Sequence, residues 1–594
     1  MTLYLPDNRN PPFNSMPRDR LTWIIIPLAV LGLVLSIFWQ QQEAEKARAL
    51  AQLNHIATPA QVSPSPTATP LPQTEAPATS PAAPAVPEQK ASLKSEVANL
   101  HFSNNRGGVN VVELLQHRAE DDNPVVLNSP QAPGIGAIAR NPNDWRDTGY
   151  TLAEDPVTHA VTLTKDAGNN IQIAKTFSVG QTAGLQDPYQ FKLTIKFQNT
   201  GSTAQEVPGF FVSTGSAQPM HATDRSTYTT FNWYRDGRFQ SVPVTWFDAG
   251  HLLGFLPIQT SPPHEIYSET GDHIMWAAVA DQYFVTILQS LDKSGTQVWA
   301  RRDPVSAEIN PRAWSIQGAL GFPGFTLQPG ETNTKEFAIY AGPKEYGRLS
   351  RLGGDLNAVV NFGPPFGFIS QILLTSMNTL HAFVGSYGVA IIIMTLIIRL
   401  LLWPIQNYSM KSMRRMAKLS PIVNELKVKY KDDPQRMNQE MMKLYKEYGI
   451  NPLTGCLPML IQIPIFFGFY AMLGSAVELR NSSFLWVRDL SQPDTIGHVL
   501  GFPINIIPLI MAATQLWQLR ITPKTGDPSQ QRVLLVMPIV FLFICYNFAS
   551  ALALYYTVQN LFLIGQTYLT RNQAEPQLTK PVKAQAVAKK KSYR

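Results

Sequence analysis

The sequence predicts a multi-domain membrane protein: a polytopic α-helical bundle of six spans plus one all-β sandwich domain outside the cytoplasm. Three observations predict it. Uncharged apolar runs of span length gather in one N-terminal segment and in the last third of the 594-residue chain. Short runs of alternating apolar and polar residues fill the stretch between them. The formal charge of +7 is modest, but Lys and Arg concentrate on alternate connections between the apolar runs, as cytoplasmic loops do.

Residues 1–20 carry Arg9, Arg18 and Arg20, which hold the N-terminus in the cytoplasm. Residues 21–39 have no charge and reach across a hydrocarbon core of ~30 Å. A cleaved signal peptide is the rival reading. The small-x-small triplet Ala47-Arg48-Ala49 lies well past the apolar run, and that run exceeds a usual signal core, so a retained anchor is favoured. Residues 40–92, rich in Pro, Ala, Thr and Ser over 58–87, read as an extended linker. Residues 93–345 read as the sandwich. Phe191–Phe197 alternates as a half-buried strand does, and similar runs recur between clusters of Gly, Pro, Asn and Asp. Residues 363–383 place apolar side chains at i, i+3, i+4 and i+7. This predicts an amphipathic helix in the membrane interface, or else a short core helix of the β domain.

Further spans are expected at 387–403, 457–477, 499–519, 533–548 and 551–568. The basic connections between them put both termini in the cytoplasm. Residues 404–456 read as a cytoplasmic helical hairpin: Asp433 caps, Pro434 starts and Gly449 ends its second arm. Met437 and Met441 line a face of that arm, and Met410 and Met413 lie in the first arm. A methionine face adapts to varied apolar partners; equally, these side chains simply pack the arms together. The tail, 570–594, ends in Lys589, Lys590 and Lys591, which suit ribosomal phosphates or anionic lipid.

The two cysteines, Cys456 and Cys545, lie in apolar segments and offer neither a disulfide framework nor a metal site. No phosphate-binding loop, metalloprotease helix or nucleophile elbow occurs, so no enzyme and no cofactor are expected. The C-terminal spans hold no carboxylate in their cores, which disfavours proton-coupled transport. They do hold Arg399. A guanidinium inside a span is a functional hypothesis by default; alternatively it snorkels from a position near Pro404 to the headgroups. Thr395 shares its helix face. Gln462, Thr514, Gln515, Asn547, Gln559 and Asn560 also need partners in hydrocarbon. Helix–helix hydrogen bonds would satisfy them, and so would a hydrated groove built around Arg399.

Several stretches resemble the YidC family of bacterial membrane protein insertases, in its Gram-negative form with a large periplasmic domain. They are Gly342-Pro343-Lys344, SYGVAIIIMTLIIR (386–399), NPLTGCLPMLIQIPIFFGFY (451–470), Ser475–Arg480 and LALYYTVQN (552–560). The resemblance implies a groove open to cytoplasm and lipid that holds Arg399, the groove that Gln462 also lines on the polar-residue reading above. It also implies that Thr395, Phe466, Met511 and Tyr556 contact the transiting client. Ile544 stands where the family often has Phe, and Phe548-Ala-Ser-Ala-Leu552 stands where it usually has Phe-Pro-Ser-Gly-Leu. The implied partners are nascent membrane proteins, the Sec translocon, a ribosome or targeting receptor, and anionic lipids. The competing classes are a membrane-anchored carbohydrate-binding or enzymatic sandwich and a channel or transporter.

Overall fold

The computed structural model describes residues 88–571, apart from 120–121, 181–183, 222–223, 252–258, 306–312, 364, 452, 500 and 523–527. The expected first span, nearly all of the linker, and the tail with Lys589, Lys590 and Lys591 lie outside the described residues.

The β domain begins with four antiparallel strands, Lys90–Lys94, Ala98–Ser103, Gly108–Arg118 and Pro124–Leu127. The first begins inside the stretch assigned to the linker, three residues before the expected start of the β domain at 93. It is only five residues long, but Ala91 and Leu93 turn inward between exposed neighbours. A second sheet of 13 strands follows. Its pivot is the long strand Ile266–Ala280. Residues 266–274 pair with Gly295–Pro304, whereas 276–280 pair with Phe284–Ser290 and also lie beside Thr230–Arg235. The register breaks between Thr270 and Ile274, where His273 takes φ 60°. Such a bulge bends and twists a strand. The sheet therefore turns back on itself here, and Phe210–Ala217 packs against Phe284–Ser290. Phe177, Trp233, Trp276 and Phe337 fill the shared core.

Asp147 ties this domain together. It is 2% exposed and pairs with Lys165 and with fully buried Lys175. It also accepts from the Tyr150 hydroxyl at 2.7 Å and the Ile138 amide at 2.8 Å. Lys175 completes its own shell with the carbonyls of Gly107 (2.6 Å) and Gly136 (3.0 Å). Both Asp147 oxygens and all three Lys175 ammonium protons have partners, as buried charges require.

His117 gives the domain a pH dependence. Its ring lies 3.1 Å from the Tyr189 hydroxyl and edge-on to Phe284. Burial, with Arg480 and Arg348 nearby, lowers its pKa to about 4. Below its ordinary value of 6.5 the unfolded chain takes a proton that the folded chain refuses. Stability is therefore lost as the pH falls from 6.5 toward 4, by at most about 3 kcal/mol. Denaturant unfolding of the full chain between pH 7.5 and 4.5 should show this slope flattened in His117→Gln; parallel curves for the two proteins would refute it.

The helical part comprises α1 (Tyr346–Leu352), α2 (Gly367–Val384), α3 (Tyr387–Lys418), α4 (Ser420–Lys429), α5 (Pro434–Glu447), α6 (Leu453–Leu473), α7 (Ile506–Ile521), α8 (Pro528–Cys545) and α9 (Ser550–Arg571). α2 falls where the amphipathic helix is expected. It packs on α3 and α6, with the Ser370 hydroxyl 2.9 Å from the Gly468 carbonyl, rather than in the β core. Phe368, Ile372 and Phe383 remain exposed on it.

Several expected bounds change. α3 does not stop at 403: it continues through Pro404 to Lys418, and the break comes at Leu419, where Ser420-Pro421 starts α4. The expected hairpin 404–456 is thus the end of α3 plus α4 and α5. α6 ends at Leu473, and Val477–Leu479 is a separate 3-10 turn, so the stretch 457–477 is helical only in part. The expected span 499–519 opens with a β-hairpin, Thr495–Val499 and Phe502–Asn505, and its helix begins at Ile506. The apolar run Val499–Ile504 conceals a turn at Gly501, which takes φ 83°. α8 ends at Cys545 rather than 548. Among the described residues, α3 alone is long and apolar enough to cross a membrane by itself. Leu460–Leu473, Ile506–Ile521 and Leu535–Cys545 are shorter apolar helical stretches.

The two parts meet at the outer end of α6. The Arg225 guanidinium lies 5.2 Å from the centres of both the Tyr470 and Phe548 rings. Asn481 donates to the Arg118 carbonyl at 3.4 Å.

Candidate functional site

Arg399 lies on α3, one turn beyond Thr395. It is 6% exposed, and no carboxylate among the described residues pairs with it. Its Nη2 donates to Gln462 Oε1 on α6 at 2.5 Å. Gln462 Nε2 lies 3.0 Å from the Tyr555 hydroxyl and 3.1 Å from Gln559 Oε1, both on α9. Three helices are therefore joined by one polar chain. Arg399 Nε is buried without a hydrogen-bond acceptor. The charge is held by neutral dipoles alone, which is a costly state for a buried cation.

An aromatic wall stands beside this chain. Phe466, one turn after Gln462, meets Tyr556 with ring centres 5.7 Å apart, and Phe541 on α8 meets Tyr556 at 5.0 Å. Tyr555 faces the other way and stacks on Phe469 at 3.9 Å. Adjacent tyrosines thus serve two surfaces, because neighbours on a helix point about 100° apart.

Of the residues singled out from sequence, Arg399, Gln462, Gln559, Phe466 and Tyr556 come together. Thr395 is fully buried, and its hydroxyl donates to the Ile391 carbonyl of its own helix at 2.7 Å. Met511 is also fully buried but sits in a separate polar contact: Asn560 lies 3.3 Å from its carbonyl and 3.2 Å from Thr514 Oγ1. Tyr555 was not among the site residues expected from sequence. No periodicity separates it from Tyr556, and only the placement of α6 does.

In the hairpin expected at 404–456, Met410 is buried, while Met413 and Met437 are half-buried. Met441 packs with Met416 on a small core of Leu419, Val423 and Ile450. Asp433 caps α5 by accepting from the Arg436 amide at 3.0 Å. Nearer the bundle, Ser409 donates to the Thr454 carbonyl at 2.8 Å. Pro458 has no N–H to offer that carbonyl, so the serine takes its place.

A β domain joined to apolar helices around a buried cation fits the class of inner membrane proteins with a periplasmic domain. Family comparisons agree: the family described as YidC periplasmic domain matches residues 90–376, and that described as 60Kd inner membrane protein matches 379–577. The membrane protein insertase YidC of Pelobacter propionicus is 32% identical over 82% of this chain and 88% of its own length. That of Citrifermentans bemidjiense is 33% identical over 78% and 82%. A solved structure of an active YidC insertase, with its first transmembrane domain resolved, aligns at 18% identity. It covers 82% of this chain and 93% of that one, with a TM-score of 0.35. The chain belongs to the YidC family of membrane protein insertases, and its clients are nascent membrane proteins.

Proposed function

We propose that Arg399 is the point at which a client's polar or acidic tail is received during insertion. The observation that carries this is a buried guanidinium held only by neutral groups, with Nε unpartnered. A client carboxylate at ~4 Å is attracted by roughly 4 kcal/mol at an effective dielectric near 20. That offsets part of the desolvation of both groups. The membrane potential adds about 2.3 kcal/mol per negative charge per 100 mV for outward movement. The client span then passes Thr395, Phe466, Met511 and Tyr556 into lipid. Apolar transfer, at ~25 cal/mol per Å², is the main driving force. The chain itself performs no covalent chemistry.

In this reading the chain crosses the membrane six times, with both termini cytoplasmic. Exposed apolar side chains such as Leu401 on α3, Leu460 on α6, Leu509 on α7, Phe543 on α8 and Leu569 on α9 support lipid contact on all five helices. Met410, Met413, Met437 and Met441 guide emerging apolar segments, and Lys589, Lys590 and Lys591 recruit the ribosome or anionic lipid. Some clients arrive through the Sec translocon or a targeting receptor.

Photocross-linking tests the reading. Probes at Thr395 and Tyr556 face ribosome-bound nascent chains of a short single-span client, with Leu401 as a lipid-facing control. Adducts at both probes and not at the control are expected. Adducts no stronger than the control would return Arg399 to a snorkelling anchor.

A further inference from the structure

The Arg399 site is occupied in the resting protein by a side chain of the protein itself. We propose that Gln462 is a resident stand-in for the client, and that displacing its amide oxygen is the step that makes insertion selective for the client's tail. The inference rests on the reading of Arg399 given above and assigns Gln462 a distinct role within it.

The geometry points to a stand-in rather than a simple brace. A carboxamide is the neutral counterpart of a carboxylate, with a similar shape and one acceptor oxygen of the kind that a client carboxylate or backbone carbonyl presents. Gln462 Oε1 sits 2.5 Å from Arg399 Nη2, which is where such an oxygen would bind. Its Nε2 has two alternative acceptors, Tyr555 and Gln559, at 3.0 and 3.1 Å. When Oε1 leaves Arg399, the Gln462 amide N–H groups keep their acceptors on α9, and the only donor left open is Arg399 Nη2, which the incoming client oxygen fills. An acidic client group gains a charge-assisted bond where Gln462 makes only a charge–dipole one. The exchange favours acidic tails over neutral ones.

The helix that carries Gln462 is suited to movement. α6 contains Pro458 and Pro464, which flank Gln462 on either side. Each removes a backbone donor, so the carbonyls of Thr454 and Leu460 lack their usual helix partners. Ser409 replaces the partner at Thr454. Such interruptions are where helices bend.

The test uses the full chain in proteoliposomes and two client versions that differ only in their translocated tail, acidic or uncharged. Gln462→Glu supplies Arg399 with a permanent carboxylate of the same shape. It should slow insertion of the acidic-tailed client at least tenfold while changing the uncharged-tailed client less than threefold. Gln462→Leu removes the competitor. It should raise adducts between the acidic-tailed client and a probe at Thr395 several-fold. Equal loss for both clients in both variants would overturn the inference and leave Gln462 a structural brace, as would unchanged insertion in both. The unmodified protein separates the two levels of the argument. Adducts at Thr395 that persist unchanged in Gln462→Glu defeat the stand-in alone. A complete lack of adducts in the unmodified protein defeats the Arg399 reading together with it.

Discussion

Arg399→Ala is expected to reduce insertion of acidic-tailed clients at least tenfold, whereas Arg399→Lys should remain within threefold of the unmodified protein. The guanidinium makes one strong contact, to Gln462, and leaves Nε without an acceptor. Its function in this reading comes from charge in a water-poor setting rather than from a filled fork of hydrogen bonds. A lysine ammonium on a flexible stem reproduces charge and loses fork geometry. Reconstituted insertion assays with both variants, scored on client protease protection, decide the matter. Equal loss with lysine and alanine would show that the guanidinium shape is needed, and the electrostatic account would fall. Loss of uncharged-tailed clients to the same degree as acidic ones would also contradict it.

Asp147→Ala is expected to be the most damaging single change in the β domain, at about 3–5 kcal/mol. The substitution leaves Lys175, which is fully buried, without its counter-charge. Burial already lowers the Lys175 pKa to about 8 against the opposing pull of Asp147. The Tyr150 hydroxyl and Ile138 amide lose their acceptor in the same step. The double variant Asp147→Ala, Lys175→Met should recover much of the loss, because an apolar pair of similar volume often replaces a buried ion pair without penalty. Urea unfolding of the single and double variants measures both. A double variant as unstable as Asp147→Ala would show that the polar shell, not the stranded charge, sets the cost.

What could be read in the chain follows from which forces act locally. Strand alternation was visible where only one face of a strand is buried. Phe191–Phe197 lies within the strand Gln190–Asn199, with Phe191, Leu193, Ile195 and Phe197 inward. α2 was visible from its spacing. The hairpin at 495–505 was not, because Val499, Phe502 and Ile504 look like the start of a span. Gly501 and the ties of Asn505 to Tyr546 and Thr495 decide otherwise. Arg399 stood out because a charge in an apolar run is conspicuous. Its neighbours were harder: Gln462 and Gln559 are polar and therefore noticeable, but Tyr555 is set apart from Tyr556 only by tertiary packing. Thr395 shows the reverse limit. It was read as sharing the face of Arg399, yet its hydroxyl is taken up by the Ile391 carbonyl of its own helix.

The rings at the outer end of α6 form a continuous run. Arg225 of the β domain covers Tyr470 and Phe548; Tyr470 lies 6.3 Å from Phe466, and Phe466 touches Tyr556. The periplasmic domain therefore shields one end of an aromatic stack whose other end borders Arg399. A chain trimmed of that domain presents bare tyrosine and phenylalanine faces to water at the outer surface. Its first defect is expected to be colloidal: light scattering of the purified trimmed protein should show self-association that grows with concentration, and particle size independent of concentration would refute this.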